Sequence, residues 1–124
     1  VSFFYLASPY SKFPHGLEAA FHLACEQAAL FVRAGIPVFS PIAHTHPIGL
    51  SSGLDMRDPA IWLPFDAPMM AAACGLIMLK AISWGQSHGM RVERETFEAA
   101  GKPIIWMEPG ALPDLPDLLW RTAQ

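Results

Sequence analysis

Four short apolar runs, each followed by turn residues and a helical repeat, set the frame for this chain. Val1 to Ala7, Ile36 to Ser40, Gly75 to Leu79 and Pro103 to Met107 are apolar without strict alternation, the pattern of strands covered on both faces. Between the first two, Leu17, Phe21, Ala24, Ala28 and Phe31 recur at helical spacing. That predicts a helix over Pro14 to Ala34, with Pro14 in its first turn and Gly35 at its end. Trp62 to Ala73 reads as a second helix interrupted near Pro64 and Pro68, and Leu115 to Arg121 as a short terminal one. Ile42 to Pro59 is dense in His, Pro, Gly, Ser and Asp and reads as a long functional loop with at most one short turn. Alternating strands and helices of this kind give an α/β fold: a Rossmann-like, doubly wound sheet of four to five mainly parallel strands, with helices on both faces. Its ligand site belongs at the carboxyl ends of the strands, in the loops after Tyr5, Phe39, Leu79 and Met107.

With 124 residues the chain suits one domain, residues 1–124, with a single core. Apolar residues make up 52% and charged residues 15%, more apolar surface than one small core hides, so a homo-oligomer of two or more copies is expected. No apolar run reaches the ~18 residues a membrane span needs. A net charge of −3 without a basic cluster argues against a nucleic-acid polymer as partner. Cys25 and Cys74 each sit among apolar residues, as core thiols of a reducing compartment do. Val1 to Ala7 has neither a basic n-region nor a cleavage pattern, so the expected location is cytoplasmic.

SHGMRVERETFEAAGKP, Ser87 to Pro103, is a helix with both ends marked: Ser87 as N-cap, Gly101 just past the stop and Pro103 beyond it. At about 100° per residue, Arg91, Arg94, Glu95 and Glu98 gather on one arc, paired at i,i+4 spacing. Glu93 falls in the opposite, apolar half between Ala100 and Phe97, the one charge there. Desolvation should raise its pKa and the helix N-terminus should lower it, so the group is tunable; a structural hydrogen bond to backbone or Tyr is the plainer reading. Ser87, His88 and Gly89 bring backbone N–H groups, a hydroxyl and a glycine to the same helix end, which together suit an anion.

Tyr5 lies near the carboxyl end of the first strand, either as a core tyrosine or as part of a site. Ser8, Pro9, Tyr10 and Ser11 form a polar loop able to line a sugar or phosphate pocket. Asp66 is the one acid in WLPFDAPMM, where it either caps a helix restarted at Pro68 or acts directly. His44 and His46 make an H-x-H pair without a third ligand at suitable spacing. They are expected to touch a ligand or backbone, with no metal. No Gly-rich dinucleotide or Walker fingerprint follows any strand, and no cofactor is expected.

Taken in order, YLASPYS, FSPIAHTHP, WLPFDAPMMAAACGLIML and SHGMRVERETFEAAGKP resemble the motifs of the nucleoside 2-deoxyribosyltransferase superfamily over nearly the whole chain. Within it the chain resembles the nucleoside 5′-monophosphate N-glycosidase-like branch and a bacterial and phage subgroup with the same SPYS opening. The resemblance implies a catalytic glutamate at Glu93, an orienting tyrosine at Tyr5 and an acid near the base at Asp66. It also implies a 5′-phosphate contact at Ser87, where relatives acting on unphosphorylated nucleosides often carry Asp. Cys74 departs from the pattern, standing where a second Asp is usual. The implied activity is cleavage of the N-glycosidic bond of a nucleotide or nucleoside, by hydrolysis or base exchange. The alternative is a non-catalytic nucleotide-binding or nucleotide-sensing module on the same fold.

Overall fold

The computed structural model describes residues 1–112 and 114–124. Strands Phe4–Ala7 (β1), Val38–Phe39 (β2), Gly75–Leu79 (β3) and Ile104–Met107 (β4) form one sheet in the order β2-β1-β3-β4, parallel throughout. Five α-helices connect or follow them: α1 (Leu17–Arg33), α2 (Pro41–Ser52), α3 (Pro59–Ala72), α4 (His88–Ala99) and α5 (Leu115–Ala123). β1 and β3 are buried along their whole length, which is why their sequences do not alternate.

Residue alternation along β1 sorts the two cores. Phe4 and Leu6 face a layer with Phe31 of α1 and Leu118 of α5, joined by Ile77, Leu79 and Met107. Tyr5 and Ala7 face the other way, against Met70 of α3 and Met90 and Phe97 of α4, with Leu76 and Met78. Tyr5 therefore shares a face with the helices that carry Asp66 and Glu93. After β1 the chain turns to β2 on one side, then returns to β3 on the other. This reversal is the switch point at which open α/β sheets form a crevice.

Three segments differ from the sequence expectation. Residues expected as a long loop contain the twelve-residue α2. Its ends are strongly specified: the Ser40 Oγ accepts from the Ala43 N–H at 3.2 Å, Pro41 opens the first turn, and Gly53 closes the helix at φ 73°. Those caps outweigh Pro47, which lies exposed in the interior. Next, α3 runs unbroken through Pro64 and Pro68. Both prolines are exposed and four residues apart, so the lost backbone hydrogen bonds fall on one outward stripe while Trp62 and Met70 pack inward. Asp66 consequently sits in mid-helix and caps nothing; the N-cap is Asp58, whose Oδ1 accepts from the Ala60 N–H at 3.0 Å. Finally, α1 begins at Leu17 after Gly16 at φ 95°, leaving Pro14 in the preceding turn.

At the other end of α3, Lys102 donates from Nζ to the carbonyls of Met70 (3.2 Å) and Ala71 (2.6 Å), satisfying acceptors that a helix C-terminus leaves open. No helix among the described residues is long and apolar enough to cross a membrane.

Candidate active site

The carboxyl edge of the sheet opens into a cleft of about 320 Å³ lined by Tyr5, Ser8, Tyr10 and Ser11 from β1 and its loop, Asp66 from α3, and Ser87, Gly89 and Glu93 from α4. Tyr5 reaches it from inside the sheet. Its ring is fully buried between Phe39 and Phe97, with centroids 5.7 and 5.8 Å away. The hydroxyl at its tip is buried and makes no hydrogen bond of ordinary geometry. The Ser8 hydroxyl, three residues further on and just past the end of β1, is likewise buried and unpaired. Leaving such a group unsatisfied costs about 1–3 kcal/mol, so two orphans at one cleft wall are groups held ready for a partner.

Glu93 stays partly open to the cleft, yet the surrounding protein strips water from its carboxyl. That desolvation pushes its pKa up to about 8; the Tyr5 hydroxyl works against the rise, and the Asp66 charge adds to it. Asp66 is pushed up to about 6, again first by burial, with His44 opposing. The Tyr5 phenol is raised far above its usual value by burial, then by Glu93 and Asp66. Three acidic groups on three elements thus feel one another across the cleft. Tyr5 and Glu93 lie close enough to couple electrically without being aligned as a hydrogen-bonded pair.

The amino end of α4 forms the adjoining wall. Ser87 is the N-cap, its Oγ accepting from the Met90 N–H at 3.2 Å, which leaves the hydroxyl hydrogen free to donate. The His88 and Gly89 N–H groups have no acceptor within the helix. A Cβ added at Gly89 would meet nothing within 4 Å, so the glycine opens space in the cleft and relieves no crowding. Arg91 is exposed and donates to His88 Nδ1 at 2.9 Å.

The remaining candidates separate. Pro9 is buried and does not line the cleft. His44 is exposed on α2, beside Phe39, and reaches the site only through its charge on Asp66. His46 is buried behind the wall, bonded to Tyr10 Oη at 2.6 Å and to Glu18 Oε2 at 2.8 Å. Neither histidine contributes surface to the cleft; α2 presents Pro41, Ile42 and Thr45 to it instead. Sequence reasoning missed Glu18, and it missed Lys12 and Arg57, two cations on the rim. Only the position of Glu18 in the first turn of α1 was visible, and a first-turn acid is ordinary.

Residues 2–109 match a family described as Domain of unknown function (DUF1937). The chain belongs to that family. The matched stretch of this DUF1937 chain holds all four strands and every lining residue of the cleft, and it stops short of α5. No curated protein matches the chain.

Proposed function

We propose that this DUF1937 domain cleaves the N-glycosidic bond of a nucleoside 5′-monophosphate, by hydrolysis or base exchange, with Glu93 as the nucleophile. The observation that carries the reading is the meeting of Glu93, Asp66 and the unpaired Tyr5 hydroxyl in one cleft at the switch point of the sheet. It agrees with the roles implied by the motif resemblance. Glycosidic cleavage develops positive charge at the anomeric carbon, which a carboxylate can trap as a glycosyl ester. In this scheme the Glu93 oxygen bonds to the anomeric carbon as the bond to the base breaks. Asp66 gives its proton to the departing base, directly or through water, and the Tyr5 hydroxyl donates to Glu93 and aims it. Water, or a second base, then attacks the ester and frees Glu93. The 5′-phosphate lies on the amino end of α4, receiving the Ser87 hydroxyl and the His88 and Gly89 N–H groups.

One observation favours a second reading. A Glu93 that keeps its proton near neutral pH is a hydrogen-bonding group before it is a nucleophile, as a nucleotide-binding or sensing module would use it. Incubating the protein with nucleosides and their 5′-monophosphates and separating free bases tests the choice. Base released from monophosphates by wild type but not by Glu93→Gln supports the enzyme; equal binding by both without base release supports the module. The same proposal includes assembly into a homo-oligomer and residence in the cytoplasm, where the free thiols of Cys25 and Cys74 would persist.

A further inference from the structure

Behind the cleft wall, a carboxylate, an imidazole and a phenol stand in line, drawn from three separate parts of the chain. Glu18 lies in the first turn of α1, His46 on the buried face of α2, and Tyr10 in the loop after β1. The His46 ring is 3% exposed and stacks on Phe21 at 4.6 Å, with 20° between planes, so it has little room to turn. Tyr10 meets it edge-on at 88°. Glu18 also pairs with His22 at 3.2 Å, and its carboxyl is held below the usual range, first by the hydrogen bond from His46.

The chemistry of this line fixes its hydrogens. An ionised carboxylate only accepts, so His46 Nε2 carries the hydrogen at the 2.8 Å contact with Glu18. In the Nε2–H tautomer Nδ1 is a bare acceptor, and the Tyr10 hydroxyl donates to it at 2.6 Å. The Tyr10 hydrogen is thereby committed away from the cleft that Tyr10 lines. The Met56 Sδ at 3.4 Å is a rival but weaker acceptor for that hydrogen; with the hydrogen on the shorter His46 contact, the phenol oxygen keeps a lone pair for the cleft. Burial and Glu18 hold this phenol neutral, at a pKa of about 12 despite Arg57, so it accepts as a hydroxyl and not as a phenolate.

We propose that Glu18 and His46 are positioning residues that lock Tyr10 as a hydrogen-bond acceptor toward the cleft, making Tyr10 the residue that selects a ligand bearing a sugar hydroxyl. This rests on the cleft binding a sugar phosphate, as the proposed function requires, but not on catalysis. The Tyr5 and Ser8 hydroxyls can donate, and Glu93 donates when protonated; Tyr10 is the neutral hydroxyl at this wall whose hydrogen is already spent. A ligand offering only acceptors would meet an opposed lone pair here, while a sugar hydroxyl would complete the chain of donors running to Glu18.

Two measurements on the intact protein test this. Nitrogen NMR of the free protein reads the tautomer directly, and His46 is expected to carry hydrogen on Nε2 with Nδ1 bare; hydrogen on Nδ1 overturns the lock. Calorimetric titration with ribose 5-phosphate then reads its effect. Tyr10→Phe should weaken binding about fivefold to tenfold, the scale of one neutral hydrogen bond. His46→Phe keeps the stack on Phe21 but removes both nitrogens, and should weaken binding nearly as much although Tyr10 is present. His46→Gln, whose amide can donate to Glu18 and accept from Tyr10, should recover most of the affinity. Wild-type affinity in a folded His46→Phe, or in Tyr10→Phe, overturns the proposal and leaves the glycosidic reading standing. A wild-type protein that does not bind ribose 5-phosphate overturns both.

Discussion

Glu93 and Asp66 share a cleft in which the Asp66 charge makes ionisation of Glu93 harder, and that coupling would govern the proposed chemistry. With Glu93 near 8 and Asp66 near 6, the pair holds one proton between those values, mostly on Glu93. A glutamate nucleophile with an aspartic-acid proton donor needs the reverse placement, a minor form of roughly 1% for a gap of two pH units. Below about 6 both groups are protonated and the nucleophile is lost; above about 8 both are ionised and the acid is lost. The expected kcat/KM profile is a bell between those limits, and a profile flat from pH 5 to 9 would remove the pair from the chemistry. Glu93→Gln is expected to abolish turnover and leave nucleotide binding nearly intact. Because the folded pKa of Glu93 lies above its unfolded value, wild-type stability falls as pH rises from about 4.5 through about 8. Glu93→Gln lacks that loss, so thermal melts should show it more stable than wild type at pH 8.5, with the gap closing toward pH 5.

α4 offers a cleaner separation of fold from function. Gly89 faces open space, so Gly89→Ala should leave the melting temperature unchanged or slightly raised, since alanine is the better helix former by about 1 kcal/mol in an interior position. The methyl group would nonetheless occupy the place proposed for the phosphate, and monophosphate binding should fall while nucleoside binding changes less. Ser87→Ala should cost the monophosphate about 1.5–3 kcal/mol in calorimetric titration and barely affect the nucleoside; equal losses for both ligands would end the phosphate assignment. This helix was legible because its signals are local. Ser87 caps it, Gly101 takes φ 68° beyond its end, and an inward Glu93 stands out against apolar neighbours. The bounds of β3 were equally plain, an apolar run between Cys74 and Lys80. α2 was obscured because His, Pro and Gly suggest a loop one residue at a time, whereas Ser40, Pro41 and Gly53 act as a set. The bond from Glu18 to His46 could not be read at all, because it joins residues 28 apart and exists only after α1 packs on α2.

For the molecule as a whole, large apolar side chains remain on the outside. Phe65 is 65% and Leu63 44% exposed on α3, and Leu50 on α2 is 65% exposed. Light scattering at micromolar concentration is expected to show at least a dimer, and Phe65→Glu to shift it toward monomer; a wild-type monomer would contradict this. The tie from Lys102 to the end of α3 bears on the same cleft from the opposite edge of the sheet. It resembles the rivet of a pair of tongs, with α3 and α4 as arms and the two carboxylates midway along them. Asp66 stands five residues from the tied carbonyl of Ala71, roughly 8 Å along the helix. A swing of about 10° there moves it by roughly 1.4 Å. Glycosidases that retain configuration hold their carboxyls about 5–5.5 Å apart, and those that invert hold them about 6.5 Å or more. Lys102→Met, which keeps the stem and removes the rivet, should therefore lower kcat, read by steady-state base release, more than it weakens substrate binding in calorimetric titration. The aim of the proposed proton donor would then be set by a lysine at the far end of the helix pair.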